Sequence, residues 1–224
     1  MIPMEIQTNP LEKIDLFNSC SKDLLDDLTA KSVIRSVRKN TILIMEGDIP
    51  HSIYFILQGS VRVFCENKYG KEITLQELGP GESFGKLASL YKHPSLASVI
   101  TKSECKILII HSSDFEKFYN NRSELSEVLS QKWADKIARL SHHLKIIALE
   151  SINERVYWAL ERYSSTDEDL SITSRATHKE LANLIGCSRE SVSRALQELK
   201  DEGKIEIDGN KITLCANGNE QLGA

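Results

Sequence analysis

Two short amphipathic segments on either side of Gly186 constrain the fold of this chain more than any other part of its sequence. Thr177 is followed three residues later by Glu180, which is the pattern of a capping box at a helix start. Ser188 is a candidate N-cap for the second segment. The apolar residues that would hold the two segments together are Leu181, Ala182, Ile185, Val192, Leu196 and Leu199. Two helices packed at a fixed angle across a tight turn form a helix-turn-helix.

The second of these helices carries polar side chains on the face that its apolar residues leave outside. They are Arg189, Glu190, Ser193 and Arg194. In a helix-turn-helix this face enters the major groove of DNA, where arginine can pair with guanine and a carboxylate can accept from cytosine N4. We predict that these residues bind DNA, together with Thr177 and Ser188 at the two helix starts. The alternative is a helical hairpin used for packing, with both arginines as ordinary solvated charges.

A β-hairpin signal follows the two helices. Asp208-Gly209-Asn210 separates residues 204–207 from residues 211–214, and apolar residues alternate with polar ones in both runs. This hairpin would be the wing of a winged helix-turn-helix. The chain as a whole has a net charge of −4 and a pI of about 5.9. DNA binding must therefore come from a locally organised surface rather than from the overall charge.

Short β-rich runs fill the region between Thr41 and Ile110. The clearest of them are residues 41–44, 52–57, 60–64 and 106–110. Glycines between the runs mark turns that require a positive φ, at Gly47, Gly59, Gly70, Gly79 and Gly81. This spacing predicts an antiparallel sandwich or barrel. A short helix with Ser21 as its N-cap is predicted before it, through Ala30.

A long helix is predicted from Ser123 to Glu150, after a helical stretch that opens at Ser113. Its apolar residues recur at alternating steps of four and three, at Trp133, Ile137, Leu140, Leu144 and Ile147. Such a stripe is the seam of a coiled coil. We expect the seam to join two copies of the chain in a homodimer. The alternative is a helix that packs on its own domain.

The chain is expected to bend near Ser151, where Ser151 and Asn153 are N-cap candidates for a helix through Tyr163. The polar and acidic stretch 164–169 predicts a solvated loop. We therefore divide the chain into a β-rich sensor domain over residues 1–122, a dimerisation helix over 123–150 and a DNA-binding domain over 151–224. The predicted fold class is α+β.

The sequence argues against several other classes of protein. No apolar run approaches the roughly 20 residues that span a bilayer, and the first residues lack the features of a secretory signal. We therefore expect a cytoplasmic protein with no membrane partner. The cysteines form no C-x-x-C pair, which argues against a disulfide framework or a structural zinc site; they are Cys20, Cys65, Cys105, Cys187 and Cys215. No compact set of histidines and glutamates and no nucleophile-base pair indicates a metal site or an enzyme.

The segment from Gly186 to Arg194 resembles the recognition helix of the cyclic-AMP receptor protein and fumarate-nitrate regulator (CRP/FNR) family of bacterial transcription regulators. Residues 46–48, 57–61 and 79–85 are similar to the turn signatures of that family's β-roll. The resemblance implies an N-terminal double-stranded β-roll, which is a jelly roll like that of cyclic-nucleotide-binding domains. It also implies a long dimerisation helix and a C-terminal winged helix-turn-helix. The expected partners are double-stranded DNA, a second copy of the chain, RNA polymerase and a small-molecule effector of unknown identity.

The resemblance also implies which bases the recognition helix reads. Arg189, Glu190 and Arg194 match the positions that members of the cyclic-AMP receptor type use to read TGTGA-like half-sites. Ser193 is more like the fumarate-nitrate branch, but that branch usually lacks an arginine at the position of Arg189. The helix as a whole therefore favours TGTGA over TTGAT.

The effector pocket that the resemblance implies departs from the pattern for cyclic AMP. Its residues are Phe84, Gly85, Lys86, Leu87, Leu96, Ala97, Leu140 and Ser141. Lys86 stands where the family has a glutamate for the ribose, and Leu96-Ala97 stands in place of an Arg-Ser pair for the cyclic phosphate. Leu140-Ser141 replaces the polar pair that contacts adenine. A buried phosphate would lose its charge-assisted partner, so we expect an effector other than cyclic AMP.

Other kinds of sensor stay open as alternatives. Cys20 stands alone near the N-terminus, which argues against an iron-sulfur cluster. Axial ligands for haem could come from His51, His93, His111, His142 or His143. A redox switch at Cys65 or Cys105 is a further alternative, although nothing in the sequence marks either thiol as one with a lowered pKa. A ligand-free, constitutively active regulator is the remaining alternative.

Overall fold

The computed structural model describes residues 9–18, 20–120, 122–166 and 172–215. The chain forms two compact units. The first runs through Cys65 and from Leu75 to Ala138, and the second takes in Glu66–Thr74 and the chain from Arg139 onward. The domain boundaries predicted after residues 122 and 150 stay a prediction.

Eight antiparallel strands build the β-roll. They are β1 (Ser32–Val37), β2 (Ile42–Ile44), β3 (Ser52–Gln58), β4 (Val61–Glu66), β5 (Glu72–Leu78), β6 (Ser83–Phe84), β7 (Ser98–Thr101) and β8 (Cys105–His111). They form two four-stranded sheets, ordered β1-β8-β3-β6 and β2-β7-β4-β5. Apolar side chains of both sheets are buried together, among them Ile44, Ile56 and Ile107. The expected β-roll is confirmed, and β1, β5, β6 and β7 are strands beyond the four runs predicted.

Turns of the β-roll require glycine for two reasons, a positive φ and a lack of space for a Cβ atom. Gly59 has a φ of +83°, and a Cβ atom there would lie 2.2 Å from the Glu104 carbonyl oxygen. Any side chain at Gly59 would therefore clash with the neighbouring backbone as well as strain its own. Gly47, Gly70 and Gly81 also have the predicted positive φ. The prediction is wrong for Gly79, whose φ is not positive, since the turn before Glu82 places that conformation at Gly81.

Helices cover one side of the β-roll core. The first unit holds α1 (Lys22–Ala30), α2 (Lys86–Tyr91) and α3 (Ser112–Tyr119), and α4 (Ser123–Leu149) begins there. The Phe55 ring lies between two others at the centre of this core. Its centroid is 5.4 Å from that of Phe17 and 6.1 Å from that of Phe115. Ser21 occupies the N-cap position of α1 as predicted, but its side chain makes no capping hydrogen bond. His111, rather than a serine, caps α3.

The second unit is a three-helix core with a small sheet. Its elements are α5 (Ile152–Arg162), β9 (Ser164–Thr166), β10 (Ile172–Ser174), α6 (His178–Ile185), α7 (Arg189–Asp201), β11 (Ile205–Asp208) and β12 (Lys211–Leu214). The strand order is β11-β12-β10-β9. A loop over 164–169 is therefore wrong for residues 164–166, because β10 offers them an antiparallel partner. Residues 167–169 lie outside the described part of the chain.

None of the helices in the described part of the chain combines the length and the apolar character that crossing a membrane requires.

Candidate nucleic-acid interface

Helix α6 begins at a side-chain cap and ends at a glycine. The Thr177 hydroxyl accepts from the Glu180 backbone N–H at 3.2 Å, and the Glu180 carboxylate accepts from the Thr177 N–H at 2.9 Å. This is the predicted capping box. Gly186 ends the helix with a φ of +67°, a conformation that suits glycine because it has no Cβ. Thr177, Glu180 and Gly186 therefore specify where α6 begins and where the turn into α7 lies.

Helix α7 begins at the predicted cap and divides into two faces. The Ser188 hydroxyl accepts from the Ser191 backbone N–H at 3.1 Å. The inner face packs into the core of the second unit, where all six predicted residues are buried: Leu181, Ala182, Ile185, Val192, Leu196 and Leu199. The outer face presents four exposed side chains near its N-terminal end: Arg189, Glu190, Ser193 and Arg194. The recognition surface is thus held by the core and open to solvent.

A histidine that the sequence reading did not single out lies on the same surface. His178 Nδ1 is 2.9 Å from the Ser193 hydroxyl, which is also 3.1 Å from the Arg189 carbonyl oxygen. The start of α6 is therefore joined directly to the outer face of α7. The sequence shows only that His178 follows the helix cap Thr177. That position does not reveal a hydrogen-bond partner fifteen residues further along the chain.

The carboxylate on the recognition surface stays ionised. Hydrogen bonds from its own backbone N–H and from the Ser188 hydroxyl lower the pKa of Glu190, and the nearby Arg189 and Arg194 act in the same direction. An ionised carboxylate is an acceptor only. Glu190 can therefore accept from the amino group of a base but would repel a phosphate.

The wing has the predicted form. Strands β11 and β12 pair from Ile205 opposite Leu214 to Asp208 opposite Lys211. Gly209 at the tip has a φ of +54°, as a tight hairpin turn requires. Because β12 also pairs with β10, the wing is the edge of the four-stranded sheet rather than an isolated hairpin. An isolated two-stranded hairpin is marginally stable at best, so this pairing supports the wing.

A second histidine absent from the DNA-binding prediction is buried behind the interface. His143 on α4 is only 7% exposed, and its Nε2 lies 2.7 Å from the Leu184 carbonyl oxygen. Its ring stacks on Trp158 with the centroids 5.0 Å apart. Burial lowers the pKa of His143, and the nearby Arg162 and His142 lower it further, against the hydrogen bond to Leu184. The imidazole is therefore neutral at pH 7.

This lowered pKa makes the second unit sensitive to acid. The unfolded chain binds a proton at His143 below about pH 6.5, where the folded state still resists protonation. We expect the contribution of His143 to the free energy of unfolding to be fully present above that pH and to be lost progressively as the pH falls below it. Urea unfolding of wild type and of His143→Phe across this range checks the prediction. His143→Phe should lose part of the pH slope. His142→Phe removes only the smaller effect of a neighbouring charge on His143 and should keep more of the slope. Equal slopes in all three proteins would contradict the assignment.

The residues predicted for the effector pocket differ in their surroundings. Phe84 and Ala97 are buried, whereas Leu87 and Leu96 are exposed. Lys86 is half-buried and its Nζ donates to the Ser83 hydroxyl at 2.6 Å. Burial, together with the ammonium groups of Lys136 and Lys132, lowers its pKa to about 8.

The other three residues predicted for the effector pocket lie before α2 and on α4. Gly85 has a φ of +81° just before α2, and Leu140 and Ser141 lie on α4 in the part that belongs to the second unit. Leu140 is half-buried and Ser141 exposed.

The predicted dimer seam is partly open to solvent in the single chain. Ile137 is 65% exposed and Leu144 67% exposed, and they lie seven residues apart on one side of the helix. Leu140 and Ile147 are half-buried. Trp133 lies 6.2 Å from the Tyr91 ring and packs against the core of the first unit. The stripe thus keeps its largest exposed apolar surface at Ile137 and Leu144.

The alternative sensor residues are mostly engaged or poorly suited to sensing. Burial raises the pKa of Cys65, and Cys105 is buried. Among the haem candidates, only His143 is buried, and it is hydrogen-bonded to Leu184. The other four are exposed, and two of them also lie within hydrogen-bond distance of a neighbour, His93 of Pro94 and His111 of Ser113. Among the described residues no group of three or more potential ligands could hold a metal ion.

Comparison with known families covers both units. The model of the Cyclic nucleotide-binding domain matches residues 34–122, and the model of the Crp-like helix-turn-helix domain matches residues 154–216. The two matches come in the order of the β-roll and the winged helix. They agree with the architecture built up from the residues.

Individual relatives extend over most of the chain. The cAMP-activated global transcriptional regulator Vfr of Pseudomonas aeruginosa is 26% identical over 198 residues, which cover 85% of this chain and 92% of that protein. The Cyclic AMP receptor protein of Thermus thermophilus is 29% identical over 169 residues, which cover 75% of this chain and 77% of that protein. The c-di-GMP responsive global regulator CLP of Xanthomonas campestris shares the fold, with a TM-score of 0.74 at 21% identity over 87% of this chain and 99% of that chain. The protein described here belongs to the CRP/FNR family of transcription regulators, which are not enzymes.

Proposed function

We propose that this regulator binds DNA as a homodimer, at pseudo-palindromes whose half-sites resemble TGTGA. The observation that carries the proposal is the outer face of α7, where Arg189, Glu190 and Arg194 are all exposed at the N-terminal end of a firmly capped helix. These side chains have the donors and the acceptor that guanine and cytosine edges require in the major groove.

The exposed seam of α4 supports the dimer. Ile137 and Leu144 lie on the same stripe of the helix, and burying them against a second copy would remove their apolar surface from water. A two-fold dimer places its recognition helices about 34–36 Å apart, one turn of DNA. The proposed operator is therefore a pseudo-palindrome with half-site centres one helical turn apart. In this proposal the protein acts in the cytoplasm, where its DNA is, with RNA polymerase as its protein partner.

Selection from random duplex DNA with the unmodified full-length protein tests the proposal. We expect the enriched sequences to contain two inverted TGTGA-like half-sites at this spacing. Sedimentation at micromolar concentration should give the mass of a dimer. Enrichment of a single half-site, of an unrelated motif, or of no motif would refute the proposed specificity, and a monomer would refute the proposed assembly.

We further propose an effector other than cyclic AMP. A lysine at residue 86 offers no acceptor to a ribose hydroxyl, and Leu96 and Ala97 offer no charged partner to a phosphate. Lys86 already donates to the Ser83 hydroxyl, and its burial and the ammonium groups of Lys136 and Lys132 lower its pKa. A positively charged group therefore lies where a ribose would need an acceptor. The effector is then an unidentified small molecule, and a ligand-free regulator remains the alternative.

Isothermal titration calorimetry with cyclic AMP checks this part of the proposal. We expect no binding at micromolar concentrations, because no described side chain at residues 86, 96 or 97 replaces the missing ribose and phosphate contacts. The triple variant Lys86→Glu, Leu96→Arg, Ala97→Ser supplies those contacts and is expected to gain measurable affinity. Micromolar or tighter binding by the unmodified protein would overturn the prediction.

A further inference from the structure

His143 joins the C-terminal part of α4 to the helix-turn-helix through a buried hydrogen bond. Its Nε2 lies 2.7 Å from the Leu184 carbonyl oxygen, across 41 residues of sequence. Leu184 is in the last turn of α6, where backbone carbonyls have no partner within the helix. A buried carbonyl without a partner is costly, so a donor from another element is needed there. The neutral imidazole supplies it, with Nε2 carrying the proton.

The same ring also contacts the helix that precedes α6. It stacks on Trp158 of α5 with the centroids 5.0 Å apart and the planes 29° apart. Arg162, one turn later on α5, lies 5.8 Å from the centre of the Trp158 ring. His143 is therefore held between α5 and the end of α6, and both helices pack on α7 in one core. Few rotations of α4 about its own axis would preserve the hydrogen bond and the stack together.

The seam residues lie directly beside this contact on α4. Leu144 follows His143 in sequence and is 67% exposed, and Leu140 lies three residues before it. Residues three apart are neighbours on a helix surface. The C-terminal part of α4 thus turns one face to Leu184 and Trp158 and an adjacent, largely open face outward. The helix geometry fixes the angle between these two faces, and the hydrogen bond holds the first of them against the end of α6.

We propose that His143 is a positioning residue, which fixes the helix-turn-helix on α4 and so sets the separation of the two recognition helices. This inference rests on the proposed function, because such a separation exists only in a dimer that binds two half-sites. His143 makes no contact with DNA itself in this role. The base-reading face of α7 is built by its own caps and core and does not depend on His143.

The variants separate this role from simple stabilisation. His143→Phe keeps a ring for the stack on Trp158 but leaves the Leu184 carbonyl without a donor. His143→Gln can still donate an N–H group to that carbonyl. His142→Phe is the matched control, because His142 is the exposed neighbour on the same helix. Circular dichroism and urea unfolding establish that each full-length variant is folded.

The measurement is DNA affinity for two duplexes, the site selected by the wild type and the same site with its spacer lengthened by two base pairs. A fixed separation makes the wild type prefer the selected spacer. We expect His143→Phe to lose about tenfold of that preference, within the range of coupling between distinct sites, whereas His143→Gln and His142→Phe retain it. General destabilisation would weaken binding to both duplexes equally and leave the preference unchanged.

The outcomes distinguish the two proposals. If the wild type shows no spacer preference, both the proposed function and this inference are refuted. A wild type with the preference, and a His143→Phe variant that keeps it in full, overturns this inference alone. If His143→Phe does not fold, Trp158→Leu gives the same readout by removing the surface on which the ring stacks. A reduced spacer preference in that folded variant supports the role of His143, and an unchanged preference refutes it.

Discussion

The double substitution Leu140→Lys and Leu144→Lys is expected to convert the protein to monomers and to abolish binding to a two-half-site operator. Leu144 is 67% exposed in the single chain and Leu140 is half-buried, so both have apolar surface left to bury against a second copy. Burying one leucine side chain contributes about 1.5–3 kcal/mol, and two-fold symmetry doubles every change. The expected loss is on the order of 5 kcal/mol or more, which raises the dimer dissociation constant by more than about a thousandfold.

Sedimentation equilibrium and DNA titration of the same preparations measure this effect. The control is Gln131→Lys with Ala138→Lys, two exposed positions on the opposite side of α4 that add the same charge to the same helix. We expect the control to stay dimeric and to bind DNA. If the Leu140 and Leu144 variant remains a dimer at micromolar concentration, the interface lies elsewhere.

Replacement of Arg189 by alanine is expected to change which sequences the protein selects, and not only how tightly it binds. The arginine is exposed on α7, beside the ionised Glu190 and one turn before the Ser193 hydroxyl. A bidentate contact between arginine and guanine contributes about 1–3 kcal/mol of discrimination against the wrong base. Loss of Arg189 should therefore relax the preference at one base pair in each half-site, and Arg194→Ala should do the same at another.

Selection from random DNA with Arg189→Ala provides the measurement, and Lys200→Ala is its control. Lys200 is exposed in the last turn of α7, at the end away from the base-reading residues. A lysine or arginine that touches only phosphate weakens binding to all sequences alike and lowers the salt slope by about one. If Arg189→Ala selects the same motif as the wild type, Arg189 contacts backbone only and the proposed base reading is wrong at that position.

Much of the second unit could be predicted because its signals are local. A capping box needs only Thr177 and Glu180, and the turn needs only a glycine that tolerates a positive φ. The helical spacing of apolar residues then decides which face of α7 is buried, so the exposure of Arg189 and Arg194 followed from the sequence. The wing was predictable for the same reason, since Gly209 specifies its own turn.

The predictions failed at two places where composition alone does not specify the backbone conformation. Residues 164–166 read as a polar loop, yet β10 gives them an antiparallel partner and makes them a strand. Gly79 stands in a Gly-Pro-Gly turn, but the backbone places the positive φ at Gly81. Local composition identified the turn and the polarity in both cases, and could not specify the hydrogen-bond partner or the residue that takes the strained conformation.

The sequence by itself determined the order of the units, the two capped helices and the residue types on the recognition surface, because each depends on neighbours within about four residues. Only the tertiary structure decided that His178 lies against Ser193 and that His143 donates to Leu184. Those contacts join side chains 15 and 41 residues apart. A histidine in a helix gives no sign of its partner until the chain has folded, because burial and hydrogen bonding are set by whichever elements pack around it.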